Sequence, residues 1–162
     1  WIGAVSRSGG ILQVVSTTKT DTFSSASTSF ADITGLTASI TPSSTSSKIL
    51  VLVQLKLSHL GASHINLTRL LRDSTPINVG DVAGSRSPSS SQSLLNFTAD
   101  GNMVHDIGMS FLDSPATTSS TPYKIQLTQS GGTTYINRSA VDSDSALYGR
   151  LASTITLMEV AG

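Results

Sequence analysis

The chain has 162 residues, a formal net charge of zero from ten basic and ten acidic residues, and no cysteine. This length suits one domain with a substantial core, the absence of a basic stripe argues against nucleic-acid binding, and the lack of cysteine excludes disulfide bonds and thiolate metal sites. Thirty Ser and 20 Thr against four Lys and one Glu leave few good helix formers, so the composition predicts a β-rich domain.

Short apolar segments separated by turn residues recur along the chain, and each has the length of a strand. They are 11–17, 28–34, 36–41, 48–57, 65–73, 93–98, 105–113, 123–129, 133–138 and 153–160. The segments between them are rich in Gly, Pro, Ser and Asp, which is typical of loops. The pattern predicts an all-β fold, an antiparallel β-sandwich or jelly roll of about eight to ten strands. A helix over 65–73 is the main alternative.

Residues 1–10 lack this apolar pattern, and we predict that they form an N-terminal arm or connector ahead of a sandwich domain over residues 11–162. The chain opens at Trp1 without Met and shows no charged segment followed by an apolar one. We therefore expect no signal peptide, and we expect Trp1 to mark a processed or truncated start.

The segment KILVLVQLKL (48–57) is the most apolar of the chain. It is too short for a transmembrane helix, which needs about 20 apolar residues, so we expect no membrane insertion. Its alternation predicts a strand with one wholly apolar face: Ile49, Val51, Val53, Leu55 and Leu57. The opposite face begins with Leu50 and Leu52 before it turns polar, so half of that face needs a second cover.

The segment YKIQLTQSGGTTYINR (123–138) has two alternating runs joined across Ser130, Gly131 and Gly132. Glycine can take the positive φ that a tight hairpin turn requires. We predict a β-hairpin here.

The sequence offers no constellation typical of catalysis or metal binding. His59 and His64 lie five residues apart with no third ligand nearby in sequence, and the aspartates of DSDS (142–145) lack the rest of a calcium loop. No G-x-S-x-G motif or phosphate-binding glycine loop occurs. We therefore predict no cofactor, no metal and no enzymatic activity.

Arginine forms rigid paired bonds to carboxylates and suits contacts between subunits. Candidates for such contacts are Arg69, Arg72, Arg86, Arg138 and Arg150. Of these we assign Arg72 and Arg150 to a subunit interface.

Five blocks of sequence carry a resemblance that covers residues 10–162 except 58–66 and 87–105. They are ILQVVSTTKTDTFS (11–24), TGLTASITPSSTSSKILVLV (34–53), LLRDSTPINVGDVAGSR (70–86), FLDSPATTSSTPYKIQL (111–127) and YINRSAVDSDSALYGRLASTITLMEV (135–160). Together they resemble small β-rich virion proteins of marine and cyanobacterial tailed phages, which are described as tail-fibre or structural proteins.

The resemblance implies a non-enzymatic virion component, made in the host cytoplasm and displayed as a homotrimer on a tail fibre or on the capsid surface. Its partners would be its own copies and other virion proteins of the fibre stalk, tail or capsid. Trimeric jelly rolls bury apolar side chains along the threefold axis, so Leu50 and Leu52 would be covered by neighbouring subunits.

The stretches outside the resemblance would carry host recognition, with a surface glycan as ligand, because loops on a rigid sandwich can vary without damage to the core. We predict that residues 58–66 and 85–97 form an outward-facing tip. The candidate recognition residues are His59, His64, Ser89, Gln92 and Tyr135.

Three alternatives remain open from the sequence. A capsid decoration or cement protein would make its contacts through the arm and the flat faces. A polysaccharide-degrading domain would need two carboxylates in a groove, which a single glutamate and scattered turn aspartates disfavour. A cellular carbohydrate-binding module would use exposed aromatic side chains, for which the candidates are Tyr123, Tyr135 and Tyr148.

Overall fold

A computed structural model describes residues 9–60, 64–95 and 101–162, and within these ranges the regular structure is entirely β. The described strands, in chain order, are β1 (Ile11–Lys19), β2 (Phe23–Ser25), β3 (Ala31–Ile40), β4 (Lys48–His59), β5 (His64–Arg72), β6 (Thr75–Ile77), β7 (Ser91–Leu95), β8 (His105–Asp113), β9 (Thr121–Gln129), β10 (Thr134–Ile136) and β11 (Ser153–Val160).

The strands form two antiparallel sheets. In sheet A the order is β1-β11-β4-β8, and the short β2 and β10 continue the lines of β1 and β11. In sheet B the order is β3-β9-β5, with β6 and β7 sharing the free edge of β5. Eight strands remain when the three-residue strands β2, β6 and β10 are set aside. Strands that follow one another in this set lie in opposite sheets, except for β5 and β7. This is the jelly-roll arrangement of two layers, and it confirms the predicted all-β sandwich; the homotrimer stays a prediction.

The core lies between the two sheets and follows the alternation of the sequence. On β4 the predicted inner face, Ile49 to Leu57 in steps of two, is almost completely buried. It packs in one cluster with side chains of the opposite sheet such as Tyr123, Ile125 and Leu127. Burying an aliphatic side chain of this size stabilises the fold by about 1.5–3 kcal/mol, so this layer supplies most of the cohesion.

Most predicted strands occur close to their expected bounds. The segments 105–113 and 153–160 are β8 and β11 without change, and 65–73 is a strand, not the alternative helix. The segments 28–34 and 36–41 were expected as two strands but form the single strand β3. Gly35, with a φ of +82°, kinks this strand where its register against β9 shifts.

The predicted hairpin over 123–138 is wrong. β9 belongs to sheet B, whereas β10 belongs to sheet A, so the turn at Ser130–Gly132 carries the chain from one layer to the other. The physical reason is that both edges of β9 are already occupied, by β3 and by β5. The side chain of Gln129 accepts a hydrogen bond from Gly131 N and donates one to Gly132 O, which fixes this crossing.

Asn137 occupies the gap where β10 ends and β11 has not yet begun. It is fully buried and takes a left-handed conformation, with a φ of +64°. Its side-chain amide donates to two backbone carbonyls, one on the last residue of β1 and one just beyond it, and its own backbone N–H and C=O are both bonded. Asn137 thereby replaces the missing strand ladder across the interruption of sheet A. Its partners are Lys19, Asp21, Lys56, Leu151 and Ser153.

The proposed arm lies mostly outside the described residues, since the description begins at Gly9. Gly9 N donates to Ala161 O at 2.9 Å, and Ala161 N donates to Gly10 O at 2.8 Å. The first described residues of the chain and its last residues therefore lie side by side. Trp1 and the predicted recognition positions 61–63 and 96–97 also lie outside the description.

Candidate functional site

A row of four apolar side chains crosses the outer face of sheet A. The antiparallel register places Val14 beside Met158, Met158 beside Leu50, and Leu50 beside Leu112. Val14 and Leu112 are 55% and 47% exposed, whereas Leu50 and Met158 are half-buried by their neighbours. We call these four residues the apolar row. It presents aliphatic surface to solvent on a sheet whose other face already forms the core.

The surface becomes polar on one side of the apolar row. The next line of residues holds Leu52 between hydroxyl side chains, and beyond it Gly108 leaves a shallow depression of about 470 Å³ against Gln54. The far end carries an ion pair between Lys56 and Asp106. The structure therefore places Leu50 and Leu52 on the outer face as the sequence predicted, while their role in an interface stays a prediction.

The two arginines assigned to a subunit interface form contacts within the chain. Arg72 pairs with the buried Asp113. Arg150 pairs with Asp142 in the loop before β11, and Arg138 lies 3.6 Å from the same carboxylate. These ion pairs hold the pKa of Asp142 below its ordinary value, chiefly through the hydrogen bond from Arg150. An intersubunit role for Arg72 and Arg150 stays a prediction.

Sheet B carries a broad groove on its outer face, on the opposite side of the sandwich from the apolar row. Its volume is about 840 Å³, and two of the candidate recognition residues, Ser89 and Gln92, line it together. We call it the sheet B groove. Residues that give it chemical character are Phe30, Arg69, Asp81, Arg86, Ser89 and Gln92.

Arg69 is held in the wall of this groove by a relay across three strands. Its Nε donates to Gln126 Oε1 at 2.8 Å, and Gln126 Nε2 donates to Asp32 Oδ1 at 2.7 Å. The guanidinium carbon lies 3.9 Å from the centre of the Phe30 ring, within cation–π distance. Burial lowers the pKa of Arg69 and Asp32 opposes this, but arginine remains charged at any physiological pH.

Two candidate recognition residues, His59 and His64, lie in contact, with their ring centres 4.2 Å apart and their ring planes tilted by 34°. The sequence placed His59 in a surface loop, but it ends β4 and is only 6% exposed. The turn at Ser130–Gly132, which we call the crossing turn because it carries the chain from sheet B to sheet A, covers the His59 ring. The Nε2 atom of His59 lies 2.9 Å from Gly131 O. A Cβ on Gly132 would lie 2.8 Å from the same ring, so this turn fits glycine alone. His59 is therefore a packing residue in the isolated subunit.

The remaining recognition candidate, Tyr135, lies on sheet A and not beside the groove. It pairs in register with Ser58, and the Arg138 guanidinium lies 4.0 Å from the centre of its ring. The two predicted tip segments do meet, because β7 pairs with the first half of β5. Of the tyrosines proposed for sugar stacking, Tyr123 is fully buried and donates to Asp113.

Over residues 9–60, 64–95 and 101–162, no group of three or more His, Asp or Glu side chains is placed to hold a metal ion. In the same ranges no helix is long and apolar enough to cross a bilayer.

Sequence reasoning missed part of both surfaces. Val14, Met158 and Leu112 carry alternation that marks them as outward-facing, but only the register shows that they meet Leu50. Phe30 was expected within the predicted strand 28–34, but it lies just before β3 begins at Ala31, and its sequence position gave no sign that it lines a groove with Arg69.

The chain is similar to three solved structures of infectious bursal disease virus. The structure of the Gx strain matches with a TM-score of 0.48 and 14% identity over 95% of this chain and 39% of that chain. The Gt strain gives 0.45 and 14% over 95% and 39%. The VP2 subviral particle gives 0.44 and 12% over 91% and 41%. The chain thus spans about two fifths of the length of these structures. No protein-family model and no curated protein sequence matches the chain.

Proposed function

We propose that the chain is a structural protein of a tailed-phage virion, which assembles as a homotrimer through the outer face of sheet A and takes part in recognition of the host surface. The proposal assigns it no reaction. It places the protein on the tail fibre or the capsid surface, with other virion proteins as neighbours. The resemblance of the five sequence blocks supports the virion setting, and the apolar row carries the assembly.

The apolar row favours coverage by copies of the same chain. Each Å² of aliphatic surface that stays in contact with water costs about 25 cal/mol, so a contiguous row of large aliphatic side chains is stabilised when it is covered. In a cyclic assembly the same face of each copy approaches one axis, so a row on one face meets equivalent rows. Since Lys56 on this face is already paired with Asp106, those two charges do not drive the copies apart.

Assembly through sheet A leaves the sheet B groove open. The two surfaces belong to opposite layers of the sandwich, so one can be covered while the other faces solvent. This division supports a protein that is built into a particle on one side and contacts another surface on the other.

Sedimentation equilibrium tests the assembly. The wild-type protein should have three times the mass of one chain, and Leu50→Asp should reduce it to the monomer, because a charge in a dry contact has no partner. The matched control is Gln54→Asp, which puts the same charge on the same strand and face but in the polar part of the surface. Circular dichroism checks that both variants are folded. A wild-type monomer, or a Leu50→Asp trimer as stable as the control, would refute the proposal.

Electron microscopy of particles that carry an epitope-labelled copy separates the two locations. Label at the fibre supports a fibre module, whereas a regular array of label over the head supports a decoration protein. Absence of the protein from purified particles would overturn the virion assignment altogether.

A further inference from the structure

We infer that the sheet B groove binds a saccharide that carries a carboxylate, and that Arg69 receives this carboxylate through the two terminal nitrogens of its guanidinium. The inference rests on the recognition role in the proposed function and gives that role a ligand class and a site.

The first support is the unused hydrogen-bonding capacity of Arg69. Its Nε donates to Gln126. Over the three described ranges of the chain, neither Nη1 nor Nη2 has a hydrogen bond or ion pair. Asp32 interacts with the Arg69 charge and opposes the lowering of its pKa by burial, but the hydrogen bonds that Asp32 accepts in these ranges come from Lys124 and Gln126, at 2.7 Å each.

The second support is that the guanidinium is fixed in orientation before any ligand arrives. Gln126 holds one edge, Asp32 holds Gln126, and the Phe30 ring lies against the guanidinium. A planar, immobilised fork with two free parallel donors matches a carboxylate in a bidentate geometry. Little side-chain entropy remains to be lost on binding, which favours affinity from a small contact.

The third support is the composition of the rest of the groove. Its two arginines, Arg69 and Arg86, exceed its one aspartate, Asp81, so the lining carries a net charge of +1. The other polar lining residues are neutral hydrogen-bonding groups such as Ser89 and Gln92, interspersed with apolar side chains. Neutral hydroxyls and amides beside apolar surface suit the hydroxyls and the flat faces of sugar rings. The volume of about 840 Å³ is that of a small-ligand site.

Binding to immobilised oligosaccharides in matched sets tests the inference. One set is lactose, sialyllactose and sulfated lactose, and the other is oligogalacturonate with its methyl ester, which removes the charge and keeps the sugar. We expect the purified protein to bind at least one carboxylate-bearing member about tenfold more tightly than its uncharged partner. A preference for the sulfated member, equal binding within each set, or no binding to any member would overturn the inference.

Two variants assign the effect to Arg69. Arg69→Lys keeps the charge but loses the fork, and we expect about tenfold weaker binding of the acidic member with little change for the neutral one. Arg150→Lys is the control, since Arg150 lies outside the groove and should not alter binding. Thermal unfolding verifies that both variants are folded. Equal affinity of Arg69→Lys and the wild type would remove Arg69 from the site.

The oligomeric mass of the same samples, measured by sedimentation, distinguishes a failure of the ligand assignment from a failure of the proposed assembly. A trimer that binds no acidic sugar overturns only the ligand assignment. A monomer that binds the acidic sugar overturns the assembly and leaves the groove assignment in place.

Discussion

Arg72 and Asp113 join the two sheets at one end of the sandwich. Arg72 Nη1, at the end of β5, lies 2.9 Å from each carboxylate oxygen of Asp113, at the end of β8. Asp113 is buried and also accepts a hydrogen bond from the Tyr123 hydroxyl at 2.7 Å. Burial, with the neighbouring Asp113 carboxylate, raises the pKa of Tyr123, so this hydroxyl stays a donor. The contact therefore holds sheet A to sheet B through an ion pair and a hydrogen bond that share one buried carboxylate.

Arg72→Met should lower the free energy of unfolding by about 1–3 kcal/mol, because it leaves a buried carboxylate without its cation. Urea denaturation followed by circular dichroism measures this loss. Lys124→Met is the matched control, since its partner Asp32 is largely exposed and such pairs contribute about 0–1 kcal/mol. Equal losses in the two variants would show that burial of Asp113 does not matter.

Asn137→Ala should be among the most destabilising single changes in the chain. It removes the donors to two backbone carbonyls, those of the buried Lys19 and of Asp21, at about 1–3 kcal/mol for a buried group left unpaired, and it forces a Cβ-bearing residue with no side-chain hydrogen bond into the left-handed region. Asn137→Gly separates the two effects, because glycine accepts the positive φ freely and should recover about 1 kcal/mol relative to alanine. Identical unfolding midpoints for the Ala and Gly variants would contradict a role for the backbone conformation.

Glu159, the one glutamate of the chain, should make stability depend on pH in the acid range. Burial alone would raise its pKa, but hydrogen bonds from Ser43 and Gln13 outweigh burial and lower the pKa from 4.5 to about 2. A pKa that is lower in the folded state stabilises the fold above pH 4.5, and this contribution is lost as the pH falls from 4.5 towards 2.

Glu159→Gln isolates this effect in urea titrations at a series of pH values. The variant should be less stable than the wild type at neutral pH, because its amide cannot accept all three hydrogen bonds. The difference should shrink as the pH falls below 4.5. A difference that stays constant down to the lowest pH would show that Glu159 is not the titrating group.

His59 should destabilise the fold on mild acidification. Burial lowers its pKa below the ordinary 6.5, the Gly131 carbonyl opposes this, and the adjacent His64 lowers it further. The unfolded chain then takes up the proton first, so stability present above pH 6.5 is lost as the pH falls through the lowered value. His59→Gln should flatten the stability profile between about pH 7.5 and 5. An NMR titration of the His59 ring with a midpoint at or above 6.5 would contradict this account.

Alternation predicted the strands well wherever one face was wholly apolar. The inner face of β4 could be read directly from Ile49 to Leu57, because a slip by one residue would expose all five side chains. The crossing turn at Ser130–Gly132 could not be predicted, since the same glycines serve a hairpin and a passage between layers. What decides between them is the occupancy of both edges of β9, which is a property of distant strands.

The candidate surfaces could be predicted only in part for the same reason. Leu50 stood out because it departs from the polar face expected of a surface strand, but its three companions in the apolar row come from three other strands. Arg69 was one of several arginines with equal claims. What distinguishes Arg69 is a guanidinium that is held in place while its two terminal nitrogens stay free to bind a ligand. This arrangement depends on Gln126 and Phe30, which are far away in sequence.

The pairing of Gly9 and Gly10 with Ala161 has a mechanical consequence. Tension applied between Gly9 and Gly162 would pull the start of β1 away from the end of β11, which lie at the same end of this antiparallel pair. The hydrogen bonds between the two strands would then open one after another. A pull between Thr20 and Gly162 would instead shear all of those bonds together. Optical-tweezer experiments should therefore record a much lower rupture force for the first geometry than for the second.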